Sequence, residues 1–200
     1  LLLGLASELS IKAALVFVVA HALYKGALFL IAGAIDHETG DRDITHMGGL
    51  WRKMPLSALA ALLAAWSMAG IVPMFGFIGK EGLFETVWHL LEEGWRAPQA
   101  SVHAALLMLL TIASVLASMW LVAAAGLVSF VPFFAPQGAT TRTVHEAPLS
   151  LWLGPVLLAS LGLLSGLFPG VVGGAVLSPA YAAVTGQSGA SAKPTLLHAP

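Results

Sequence analysis

The chain contains no cysteine, only two tyrosines, and charged residues at just 10% of its 200 positions. Without cysteine it has no disulfide, no thiolate zinc site and no cysteine-ligated iron–sulfur cluster. Nine Lys and Arg against ten Asp and Glu leave a formal net charge of −1, so there is no basic surface for nucleic acid. A nucleophile elbow, a His-Glu-x-x-His pair and a Walker loop are all missing, and nothing resembles a hydrolase. The apolar segments lack the strict two-residue alternation of a membrane β-barrel. No cofactor or metal is expected.

The scarcity of charge goes with an excess of apolar residues. Hydrophobic residues make up 58% of the chain and the mean hydropathy is +0.88. Apolar runs of about 18 residues or more recur, which no ordinary soluble core requires. The expected fold class is all-α, a polytopic transmembrane helical bundle. The chain opens at Leu1 in the apolar stretch Leu1–Ala6, without Met or a basic segment. That is not a signal peptide; it reads as the tail of a helix in a fragment of a longer protein.

The rest of the chain is organised around His21-Ala22-Leu23-Tyr24-Lys25, inside the apolar run Ile11–Ile35. At about 1.5 Å per residue, Lys25 lies roughly 15 Å from one end of that run and 21 Å from the other. A lysine so deep cannot readily snorkel, and a charge at a helix centre costs about 2.5–3.5 kcal/mol on insertion scales. His21, four residues earlier, shares its face. The pair needs a wet or partnered environment inside a bundle.

Asp36–Lys53 is the most polar stretch. Its Asp, Glu and His could suggest a metal loop, but the calcium-loop spacing is missing. The expected role is a solvated interhelical loop that caps two helices. Three of the nine Lys and Arg lie there, which hints at the cytoplasmic side. Helices are expected at about 11–35, 55–70, 73–91, 101–131 and 149–168. Gly70, Pro73, Gly76, Gly79 and Gly82 recur every third residue around Lys80-Glu81, a density that predicts an interrupted helix with its break near Lys80. Interrupted helices mark ion sites in transporters, because freed backbone groups must line a cavity.

Glu81, Glu85 and His89 follow at i, i+4 and i+8. In the fourth helix, His103, Thr111, Ser114, Ser118 and Ser129 fall within roughly 80° of one another at about 100° per residue. Such hydroxyls either bond the preceding turn's carbonyls or line a hydrated face. Gly162, Gly166, Gly170 and Gly174 form a small-xxx-small series for close packing. Val171–Val184 is a candidate half-helix, and 186–200 a flexible connection to a missing continuation.

Burial in a low dielectric disfavours a charged amine, so an intramembrane lysine can release and regain a proton near neutral pH and trade it through water with histidine or carboxylate. Lys25, Lys80 and His21 are therefore the proton-relay candidates, with Glu81, Glu85, Ser114 and Ser118 secondary. The competing reading makes the lysines inert ion pairs that lock helix packing.

Three segments resemble a known family: Ala20-His21-Ala22-Leu23-Tyr24-Lys25-Gly26-Ala27-Leu28-Phe29-Leu30; Ala34-Ile35-Asp36-His37-Glu38-Thr39-Gly40-Asp41-Arg42-Asp43; and Met47-Gly48-Gly49-Leu50. They are similar to the A-type subunits of Mrp-type multisubunit sodium/proton antiporters. So are Gly76-Phe77-Ile78-Gly79-Lys80-Glu81, His145-Glu146-Ala147-Pro148 and Gly166-Leu167-Phe168-Pro169-Gly170. The same core resembles the antiporter-like L-type subunits of respiratory complex I. The resemblance implies an inverted-repeat fold, with residues 1–185 forming much of one repeat. It also implies a proton path through Lys25 and Lys80, and a transporter component rather than an enzyme. The implied partners are other antiporter subunits, the lipid bilayer, protons and Na+ or another monovalent cation. The implied location is the bacterial cell membrane. One departure is that Val122–Val131 lacks the arginine expected before Pro132-Phe133-Phe134. The rival implication is a redox-driven proton pump of the complex I type.

Overall fold

The structure, a computed structural model, describes residues 2–5, 7–96, 101–136 and 143–186. Of the expected connection at 186–200, residues 187–200 lie outside the described residues. Among the described residues, six helices carry the fold: α1 Glu8–Thr39, α2 Pro55–Ala69, α3 Phe75–Arg96, α4 Ser101–Phe134, α5 Leu149–Leu167 and α6 Pro169–Thr185. No strand occurs among the described residues, and the fold is an all-α membrane bundle. Three of the described helices, α1, α4 from Ala105 and α5, are long and apolar enough to cross a membrane.

α1 runs past both ends of its apolar run because its caps lie outside that run. Ser7 and Ser10 form a capping box at its start, and Gly40 at φ 67° closes its end. Its 32 residues extend about 48 Å, more than a hydrocarbon core needs. The Asp36–Thr39 segment, expected in the loop, is therefore the last helical turn. α4 likewise continues through Pro132 to Phe134. α6 contains one π-helical turn, Gly173–Leu177.

α1 is the central element, packed against α2, α3 and α5, and α4 covers α2 and α3. Of the apolar span, 39% of α1 is buried but only 6% of α4, so α4 is the bundle's outer wall. Small residues are prominent inside the bundle, alongside Phe75, Phe133, Ile31 and Met54. Ala13, Ala20, Ala27 and Ala34 of α1 and Ala60, Ala61 and Ala64 of α2 are buried, while Phe29, Trp88, Met119 and Trp120 face outward. Small residues at helix contacts let backbones approach, which is how bundles gain packing energy where lipid is as apolar as leucine.

The interrupted helix consists of α2 and α3 read together. Its break is Gly70–Met74, not Lys80, which lies inside α3. The reason is that the glycine series has two uses. Gly70, at φ 77°, ends α2 in the left-handed conformation. Gly76 serves close packing: a Cβ there would collide with the Ser67 carbonyl. Gly79 and Gly82 let α3 approach Phe17 and Ala13 of α1. Of the second glycine series, Gly166 meets the Pro73–Phe75 backbone, whereas Gly170 and Gly174 face open space.

Gly166→Ala and Gly76→Ala, each forcing backbone apart, are expected to destabilise the assembled protein by about 1–3 kcal/mol or more. Gly174→Ala should be neutral. Thermal aggregation of the detergent-solubilised complex checks the contrast.

A lysine at a helix break

At the interruption, buried backbone groups must find partners within the protein. The Gly70 N–H donates to the carbonyls of Ser67 and Trp66. The Gly76 N–H donates to the Ser67 hydroxyl at 3.2 Å. The Ala69 carbonyl, among the last of α2, receives the Lys80 ammonium at 2.8 Å. A cation at a helix C-terminus is favoured by the helix dipole. The Lys80 stem lies over Gly70, where a Cβ would stand 2.6 Å from Lys80 Cδ. α2 therefore ends on the side chain that α3 supplies.

Lys80 stands between two cavities. One, of about 430 Å³, is lined by Gly70, Phe77, Glu81, Ser118 and others. The second, about 510 Å³, is lined by Phe17, Val18, Ser114, Ser118 and Leu121 among mainly apolar neighbours. Lys80 and Ser118 line both. The structure thus brings Lys80, Glu81, Ser114 and Ser118 together. Ser114 donates to the Leu110 carbonyl at 2.7 Å, and Thr111 and Ser129 make the same four-residue back-bond. The His103 side chain lies outside the described residues.

His21 lies one helical turn beyond Phe17, with which its ring stacks at 6.1 Å. His21 Nδ1 is hydrogen-bonded to the Tyr24 hydroxyl at 2.8 Å. Tyr24 is buried. Lys25 is half-buried, its ammonium 6.0 Å from the Phe29 ring centroid, and it lines neither cavity at Lys80. Glu85 is elsewhere: it lines a separate cleft with Glu8, Lys12 and His89. The site is therefore Lys80 with its cavities, joined through Phe17 to His21 and Tyr24, with Lys25 a turn further on.

Two carboxylates have roles that the linear sequence hides. Glu146 accepts hydrogen bonds from the Leu56 N–H and the Ser57 hydroxyl, each at 2.7 Å. It caps the N-terminus of α2 from about 90 residues away. Glu38 is buried and contacts His37 and His145. Its burial was legible: Ile31, Ala34, Ile35 and Glu38 fall at helical spacing on one face, with the first three buried as well. Among the described residues, no group of three or more His, Asp or Glu is arranged to hold a metal.

Fold and site together define a polytopic helical membrane segment in which a lysine of α3 closes a helix break. A family model described as "NADH:quinone oxidoreductase/Mrp antiporter, TM" matches residues 1–95. The chain is 35% identical over 190 residues to the A1-type subunit of a Na+/H+ antiporter from Staphylococcus haemolyticus, covering 93% of this chain and 23% of the relative. It is 36% identical over 179 residues to the A-type subunit of the Na+/H+ antiporter from Alkalihalophilus pseudofirmus, covering 88% and 21%. Its fold is similar to that of a chain in the structure of the Mrp complex from Dietzia sp. DQ12-45-1b. That match has a TM-score of 0.62 and 20% identity, and covers 83% of this chain and 36% of that one. The resemblance to the A-type subunits of Mrp-type antiporters is thus shown over most of the chain, which spans about a fifth of the length of these curated relatives.

In the connection after α1, His46 Nδ1 bonds Asp41 at 2.9 Å. That bond, and then the Asp43 charge, push the His46 imidazole up. The Asp43 N–H first, then His46, hold the Asp41 carboxyl below the usual range. The imidazolium's stabilisation is complete below the ordinary imidazole value and lost as pH rises through the raised one. Asp41's is present above the ordinary carboxylate value and lost as pH falls through the lowered one. Residues 40–47 should therefore exchange amide hydrogens most slowly between those limits. His46→Ala should abolish the alkaline loss of protection, as read by hydrogen exchange corrected for its intrinsic pH dependence.

Glu146→Ala is expected to cost about 1 kcal/mol through the lost cap, and Glu146→Asp less. Thermal unfolding of the assembled complex measures the difference.

Proposed function

We propose that this chain forms part of the proton path of a multisubunit Na+/H+ antiporter in a bacterial cell membrane, as a component of a transporter and not an enzyme. The observation that carries this reading is the bond from Lys80 to the Ala69 carbonyl at the helix interruption. A carbonyl accepts an N–H from an ammonium or from a neutral amine alike. Lys80 can thus change its charge without losing its anchor, which a carboxylate partner would resist through its stronger grip on the cation. The flanking cavities, with Ser118 on both, offer room for the water that a proton needs. His21, Tyr24 and Lys25 continue the series along α1. Glu81 and Ser114 are auxiliary, and Glu85 serves a different cleft.

The family description names NADH:quinone oxidoreductase as well. The relatives similar over most of the chain carry the antiporter name, which favours cation exchange over a redox-driven pump. Helices beyond these 200 residues and partner subunits would supply the cation route and the faces that cover α4.

The test compares sodium-dependent collapse of a pH gradient in everted vesicles, normalised to assembled complex. Lys80→Ala and Lys25→Ala are expected to lose roughly a hundredfold or more of the exchange, the scale of a lost proton-transfer group. Lys80→Arg keeps the charge but cannot deprotonate, and should assemble yet fail to exchange. Normal exchange by assembled Lys80→Arg would make the lysine a structural cap and end the relay reading.

A further inference from the structure

The last turn of α1 holds a carboxylate that the lysine path does not use. The Glu38 side chain is 4% exposed. An anion there is disfavoured twice, by desolvation and by the negative end of the helix dipole. Two imidazoles compensate. His37 Nδ1 lies 3.0 Å from Oε1 and His145 Nδ1 lies 2.9 Å from Oε2. Their side chains are 60% and 77% exposed. A dry carboxylate therefore sits between two wet imidazoles.

We propose that Glu38, His37 and His145 form a proton-binding site at the membrane boundary, distinct from the lysine path. A neutral imidazole that donates from Nδ1 keeps Nε2 as the acceptor for a solvent proton. The imidazolium so formed pairs with a carboxylate in low dielectric, where attraction is strong. Imidazole is also the side chain whose ordinary titration falls between about pH 5 and 8. The other charges at this end have their own engagements. Asp36 pairs with Arg42, Asp41 and Asp43 with His46, and Arg52 lies over Trp51. Glu146 caps α2, and Lys53 lies in the same connection. Because His145 adjoins Glu146, protons at Glu38 bear on how the segment before α5, a strap over residues 143–148, grips α1 and α2. The strap in turn holds α2, the helix whose far end accepts the bond from Lys80.

This proposal rests on the proton-transport reading, and one experiment separates the two. The intact complex in proteoliposomes, with pH equal on both faces at the start, is assayed for sodium-gradient-driven proton flux over a pH series. The variants are His37→Gln, His145→Gln, the double variant and His145→Lys. The glutamine variants are expected to shift the half-maximal pH by about half a unit or more, with maximal flux retained. His145→Lys, which fixes the charge, is expected to flatten that limb. Profiles that coincide with wild type overturn the proposal. Assembly lost in the glutamine variants but kept in His145→Lys with a wild-type profile makes the contact a structural ion pair and overturns it, as does assembly lost in every variant. Exchange that survives Lys80→Arg defeats the lysine path alone, and the histidine profiles still decide this site.

Discussion

A polypeptide in hydrocarbon cannot leave its backbone polar groups to water, so any break in a helix must be repaired by the protein itself. In this chain the break between α2 and α3 is repaired by three side-chain and turn contacts from its own borders: the Ser67 hydroxyl, the Gly70 turn and the Lys80 ammonium. The rest of the bundle follows from that repair. α3 must lie close enough to α2 for Lys80 to reach Ala69, which requires glycine at position 76. α5 must leave room for the returning chain, which requires glycine at position 166. Lys80 supplies the donor that the break needs.

Packing elsewhere is subordinate to this centre. Alanines line many of the helix contacts and let backbones approach, with Phe75, Phe133, Ile31 and Met54 filling the space between them. α1 touches most of the other helices and carries His21, Tyr24, Lys25 and Glu38 along one element. Its length places the first three within the apolar run and the last at its edge. One helix thus spans from the boundary carboxylate to the exposed His21 and the half-buried Lys25.

Much of the fold was legible because a bilayer imposes long apolar runs, and α1, α4 and α5 announce themselves that way. The helix ends were less so. Ser7 and Gly40 cap α1 several residues beyond the apolar run, and hydropathy does not register caps. The interruption was visible in the density of proline and glycine, but the same residue type ends a helix at Gly70 and lets two helices touch at Gly76. Only tertiary packing separates those uses. Lys80 was recognisable by its improbability in a membrane, whereas its carbonyl partner was not, since a backbone acceptor leaves no mark on composition. Glu38 is on the periodic face of α1 and was masked by the polar residues around it. The grip of Glu146 on α2 joins segments about 90 residues apart, and no local pattern encodes such a contact.

The reach of Glu146 has a consequence for biogenesis. α2 has 15 residues and extends about 22 Å, short of a typical hydrocarbon thickness of about 30 Å. It cannot be laid across a bilayer as an independent unit when it leaves the ribosome. Its C-terminal donor, Lys80, follows 11 residues after Ala69, on α3. Its N-terminal acceptor is synthesised only after α4 has been made. During translation the first turn of α2 therefore waits uncapped at the membrane surface, and the bundle locks from its interior outward, with the entry to α2 sealed among the last steps.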